Sequence, residues 1–155
     1  MGRRLMKIGR DTHAKDETFE YEKRQRYYVN LSLLSLKSLE DYDIGRGGEF
    51  YFKVKRKWRT QRVPNRGEIF LMENQAFTAR SDFSLWTEFL ELEQGDDKDI
   101  EIEISLFERD LKWDKKIFEV DVPIKLGSQT DYVILQDEAK KTKAKVKISA
   151  RRTRF

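Results

Sequence analysis

Acid–base and nucleophilic chemistry finds little to work with in this chain. It has no cysteine and a single histidine, His13. That histidine lies in a polar stretch without a nucleophile, base and orienting group at any catalytic spacing, so a solvated side chain is expected there. With no thiolate and one imidazole, a zinc site would need mostly carboxylates. Gly45, Gly47 and Gly48 cluster, but no GK[ST] follows and no strand–turn–helix surrounds them, so they read as a turn and not as a phosphate cradle. The expectation is a protein that is not an enzyme.

The residue types offer binding chemistry instead. Lys53, Lys55 and Lys57 recur at alternate positions with Arg59 and Arg62 close behind, and Lys143, Lys145 and Lys147 repeat the pattern near the C-terminus. In an extended strand alternate residues share a face, so each set is a row of ammonium groups able to meet a polyanion. Charge is segregated along the whole chain. Eight basic residues stand against one acid between Arg46 and Arg66, while eleven acids stand against two basic residues between Asp82 and Asp110. Eight basic residues and no acid close the chain from Lys140. Two readings compete: the blocks pair with one another across a sheet, or they form a basic face for a phosphate-rich partner.

The elements that must carry these rows are strands. Val29, Leu31 and Leu33 alternate before the phase slips to Leu34 and Leu36, and a one-residue slip predicts a β-bulge. Phe50, Phe52 and Val54 alternate with the first lysine row, and extending that parity predicts Trp58 on the core side. Arg56 departs from this inward set. Residues 62–67 read as a turn and 68–72 as a short buried run. Residues 73–84 resist assignment, as a loop or one helical turn, and 85–93 fit a strand by context. Ile100, Ile102, Ile104 and Leu106 form the strongest strand pattern, followed by Phe118, Val120, Val122 and Ile124, with Pro123 outward as an edge signal. Tyr132 to Gln136 is a short strand. Ala144, Val146, Ile148 and Ala150 face inward opposite the second lysine row.

The expected fold is all-β: an antiparallel sandwich of seven to eight strands over residues 27–150, with a polar N-terminal arm (1–26) and a basic C-terminal tail (151–155). The 155 residues suit one domain. There is no membrane-spanning apolar run and no apolar signal core, and with the missing cysteines this leads to a cytoplasmic expectation.

From about Tyr28 to Ala150 the chain resembles the C2 domain family, eight-stranded sandwiches whose end loops often bind calcium and anionic phospholipid. Asp43 and Glu49 are six residues apart, with Phe50 and Tyr51 opening a strand after them. IEISLFERDLKWDKKIF sets Glu108 and Asp110 after Phe107, with Ile117 and Phe118 opening the next strand. The resemblance implies Asp43, Glu49, Glu108 and Asp110 as the candidate calcium ligands. The family's final loop acid falls at Lys116, with Asp114 two residues early. Calcium needs six to eight oxygen ligands, and an ammonium at one of those positions repels it, so a calcium-independent module without a cofactor is expected.

The strand holding Lys53, Lys55, Lys57, Arg59 and Arg62 resembles the lysine-rich strand that some of these domains use on phosphoinositides. Lys143, Lys145 and Lys147 extend that face if the last strand lies close by. Trp113, in the loop at the ligand end, is an expected contact with a membrane interface or a partner. The leading functional expectation is docking on an anionic membrane or a partner protein. A structural subunit of a larger assembly that uses its terminal arms is the alternative, and nucleic-acid binding through the basic strand and arms is the third.

Overall fold

A computed structural model describes residues 24–39 and 47–154. His13, Asp43 and Gly45, most of the expected N-terminal arm and most of the loop after the first strand lie outside the described residues. Among the described residues nine strands follow in chain order: β1 (Arg24–Ser38), β2 (Gly48–Arg56), β3 (Arg59–Val63), β4 (Ile69–Leu71), β5 (Ala76–Glu93), β6 (Asp99–Glu108), β7 (Lys115–Lys125), β8 (Asp131–Gln136) and β9 (Thr142–Thr153). They form two antiparallel sheets, one ordered β5-β1-β9-β8 and the other β3-β2-β6-β7, with β4 also paired to β2. We call these the first and second sheets.

The architecture is the antiparallel sandwich that alternation predicted, with one strand beyond the expected seven to eight. The inner faces meet in a core of Leu31, Leu33, Leu36, Trp86, Val146 and Ile148 from the first sheet. Phe50, Phe52, Val54, Ile102, Ile104 and Leu106 oppose them from the second. The phase slip in β1 is a bulge: the register shifts between Leu33 and Ser35 against both β5 and β9. Leu36 thereby returns to the core after Leu34 has been left half-buried.

Three local expectations change. Residues 76–84 belong to β5, where Phe77 and Phe83 pack edge to face at 5.5 Å. Two register breaks against β1 erase the alternation that would have marked this strand. Trp58 is 90% exposed, because β2 ends at Arg56 and a two-residue turn with Lys57 at φ 56° brings the chain back to Arg59. Inward parity cannot be extended through a turn, and the buried tryptophan is Trp86. Finally, β9 continues through Arg151 to Thr153, opposite Tyr28 to Arg26, within the segment expected as a basic tail.

Arg56, the residue that broke the inward pattern of β2, has a partner. Its guanidinium reaches across from the second sheet to Glu88 on β5 with two hydrogen bonds of 2.8 and 2.7 Å. The Trp86 indole N–H donates to the same carboxylate at 3.0 Å. A planar fork meeting a carboxylate in this way ties the two sheets together at their rim.

Candidate anion-binding surfaces and end loops

The first lysine row lies on the outer face of the second sheet, where β2 runs between β3 and β6. Lys55 stands opposite Glu103 on β6, and Glu103 in turn opposite Asp121 on β7. Lys53 stands between Ser105 and Arg62, with its ammonium 5.2 Å from the Phe107 ring centre. Lys116 on β7 bonds Glu119 at 2.7 Å, and that carboxylate also feels the charge of Lys55. The basic block around β2 and the acidic block around β6 are therefore neighbours, as in the first of the two readings.

The arginines of this region are also engaged. Arg62 donates to the carbonyls of Pro64 and Gly67 and to Glu68 at 2.8 Å. Arg59 lies 4.1 Å from the Trp86 ring centre and donates to the Thr87 carbonyl. Lys57 does not continue the row, because it sits in the turn.

The second lysine row occupies the other outer face. β9 runs between β1 and β8 in the first sheet, so with inward Ala144, Val146 and Ile148 its lysines point away from β2. The second row was to extend the first only if the last strand lay close by, and that condition is not met, because β9 inserts beside β1 and not beside β2. Lys143, Lys145 and Lys147 stand opposite Lys37, Ser35 and Ser32 on β1, and opposite Gln136, Ile134 and Tyr132 on β8. None of these four lysines forms an ion pair with a described residue. No acid stands directly opposite any of them in the register.

The end of β1, the start of β2 and the loops between β4 and β5, β6 and β7, and β8 and β9 meet at one end of the sandwich. The Leu39 N–H donates to the Lys141 carbonyl at 2.7 Å, Asn74 N–H to Ser38 at 2.8 Å and Arg109 N–H to Glu49 at 2.8 Å. Gly47 is needed here: its φ is +76°, and a Cβ would fall 2.3 Å from the Leu71 carbonyl oxygen. Around this end Leu39, Phe70, Met72, Leu111 and Trp113 are all exposed, Leu111 fully and Trp113 by 77%.

The β6–β7 loop that carries Leu111 and Trp113 is braced from below. The Tyr51 hydroxyl donates to Asp114, and burial followed by that carboxylate pushes the phenol up to about 12. The same hydrogen bond holds the Asp114 carboxyl below the usual aspartate range. Arg109 bonds Glu68 at 3.0 Å; Arg109 first and Arg62 second hold the Glu68 carboxyl low.

The four acids implied as calcium ligands have different surroundings. Glu108 is 4% exposed, at the inward end of β6 opposite Phe50 and Lys115. Asp110 is exposed and accepts the Leu111 N–H at 2.6 Å. Glu49 stands opposite Phe70 on β4, and Asp43 lies outside the described residues. The Arg109 guanidinium comes from the residue between Glu108 and Asp110. Among the described residues no group of three or more acidic, histidine or cysteine side chains is arranged to hold a metal ion.

Sequence reasoning named Trp113 and the β9 lysines as candidates and did not name Lys37, Leu111 and the other apolar residues of the rim. Lys37 joins the row only once the bulge in β1 is counted. The rim residues carry no periodic signal because they lie in loops or beside strand ends.

No protein-family model and no curated protein matches the chain. Solved structures do match. A C2 domain of plant extended synaptotagmin 1 aligns over 83% of this chain and 96% of its own length, at 12% identity and a TM-score of 0.52. Human GIVD cytosolic phospholipase A2 aligns over 83% of this chain but 17% of its own, at 12% identity and a TM-score of 0.57. The same enzyme in complex with methyl gamma-linolenyl fluorophosphonate inhibitor and terbium chloride aligns at 13% identity over 84% of this chain and 18% of its own, with a TM-score of 0.54. The chain thus spans under a fifth of the phospholipase. At these identities the likeness is one of fold, and the fold is a divergent C2-like β-sandwich.

Proposed function

We propose that this domain is a non-enzymatic interaction module that docks on an anionic membrane surface without calcium. The observation that carries this reading is the loop end, where Leu39, Phe70, Met72, Leu111 and Trp113 are all exposed and where Lys37 and Lys143 stand opposite one another close to Leu39. Leu111 and Trp113 are the most exposed of them, on a loop held by Tyr51, Asp114, Arg109 and Glu68. An exposed indole next to an aliphatic tip suits the headgroup level of a bilayer, where an amphipathic ring is favoured.

The lysines supply the second component. Each basic residue near an anionic leaflet contributes on the order of 1 kcal/mol, and among the described residues Lys143, Lys145 and Lys147 have no carboxylate paired with them. The β2 row is the weaker candidate, since Lys55 faces Glu103. Calcium independence is supported by the burial of Glu108 and by the charge of the Arg109 guanidinium, which acts on Glu49 and Asp114 at the same end. Among the described residues no helix is long and apolar enough to cross a membrane, so the mode of attachment in this reading is peripheral.

Co-sedimentation of the full chain with phosphatidylserine-containing vesicles, against pure phosphatidylcholine vesicles, tests the reading directly. Binding is expected at about 50 mM salt, unchanged by calcium or EGTA and weakened as salt rises. Absence from the anionic vesicles at low salt would overturn it. A strict calcium requirement would overturn the calcium-independent part.

A further inference from the structure

We propose that the open edge of β8 is a strand-addition site for an extended, alternately acidic and apolar segment of a partner protein. Every open sheet leaves edges whose N–H and C=O groups are unpaired, and proteins guard such edges with charge, proline, bulges or brevity. Three borders of this sandwich are guarded. β7 carries Pro123 and the charges of Lys116, Glu119 and Asp121. β3 is five residues long with Arg59 and Arg62, and β4, which continues its border, has three residues. β5 carries Glu88, Glu91 and Glu93 and two breaks in register.

β8 is the least guarded: it has no proline and no bulge, it is one residue longer than β3, and its one charge is Asp131 at its start. Between Asp131 and Gln136 its residues are Tyr132, Val133, Ile134 and Leu135, uncharged and strongly β-forming. Its register with β9 is unbroken. Among the described residues it is paired with β9 alone. Val133 and Leu135 pack inward, but Tyr132 is 54% and Ile134 61% exposed on the outer face. An added strand would satisfy the free main-chain groups and cover those two side chains, which is the physics of β-augmentation.

The neighbouring lysines select the chemistry of the occupant. Lys145 and Lys147 are the register partners of Ile134 and Tyr132, and the Lys145 ammonium already leans over the Tyr132 ring at 5.7 Å. A strand added beyond β8 lies about 10 Å from β9, two strand spacings away. Lysine and glutamate side chains together span that gap, so carboxylates on the outer face of the added strand would meet ammonium groups that have no ion-pair partner among the described residues. A second copy pairing β8 to β8 would instead bring two lysine rows towards each other.

The test titrates full-length, isotopically labelled protein with a synthetic Glu-Val-Glu-Val-Glu-Val-Glu peptide, following amide shifts by NMR. Saturable binding is expected, with changes concentrated in residues 131–136. It should weaken about tenfold in Ile134→Lys and in the Lys145→Gln, Lys147→Gln double variant. A peptide N-methylated at alternate amides, which cannot form the ladder, should not bind. Ile134 is already exposed, so its substitution should leave the remaining spectrum in place, and the added ammonium should not weaken the vesicle binding of the chain. The proposal is overturned by no saturable response at about 1 mM peptide, or by equal binding of the N-methylated or a Lys-Val peptide. It is also overturned by shifts that map elsewhere, or by a dimer in sedimentation equilibrium whose β8 amides are already protected.

Discussion

Lys37 and Lys143 stand directly opposite one another on β1 and β9. Like charges in that position repel across a spacing of about 5 Å, and neither has a carboxylate partner among the described residues. A sheet held together only for its own stability has no use for such a pair, whereas a surface that receives anions does. Lys143→Thr should therefore raise stability, by about 0.5 kcal/mol, while lowering retention on phosphatidylserine-containing vesicles. Urea denaturation beside co-sedimentation reads both effects, and a loss of stability would contradict the repulsion.

The two lysine rows should separate in function. Neutralising Lys145 and Lys147 to glutamine removes two ammonium groups with no competing acid, and should weaken anionic-vesicle binding roughly thirtyfold at low salt if each contributes on the order of 1 kcal/mol. The same change at Lys53 and Lys55 acts on a face shared with Glu103 and Glu119 and should have a much smaller effect. Equal losses from both pairs would mean that the facing acids do not screen the β2 row.

Tryptophan emission can report which end meets the bilayer. Trp86 is buried, while Trp58 and Trp113 are exposed on different turns, Trp58 in the β2–β3 hairpin and Trp113 in the β6–β7 loop. Anionic vesicles should shift emission to the blue in the native chain and in Trp58→Phe, but not in Trp113→Phe. A shift that follows Trp58 would reverse the proposed orientation.

The Arg56–Glu88 bridge predicts a pH dependence. The hydrogen bond from Arg56, with help from Trp86, holds the Glu88 carboxyl below the usual glutamate range. Its folded-state pKa is thus depressed, so its contribution is fully present above the unfolded value and is lost as pH falls through the usual carboxylate range and below it. Glu88→Gln should destabilise the domain by about 2 kcal/mol near neutral pH. Denaturation midpoints between pH 7 and pH 3 should fall less steeply in the variant, and parallel curves would show that Glu88 is not a source of the slope.

Strand identity was largely legible along the chain because side-chain parity is local. The alternation at Ile100 to Leu106 and at Ala144 to Ala150 already named the buried residues, and the slip after Leu33 already named the bulge. The reading failed where alternation was cut by events that parity cannot register. A turn at Lys57 exposed Trp58, and two register breaks hid the first half of β5.

The sequence by itself determined an all-β sandwich and two lysine rows on its strands. Only the tertiary structure decided what surrounds each row. Strand order is a long-range property, set by which apolar faces pack and which edges pair. It brought the acidic β6 beside the basic β2, and it put β9 between β1 and β8, where no acid faces its lysines. Charge blocks that look equivalent along the chain therefore differ in what surrounds them, because electrostatic compensation depends on neighbours in space.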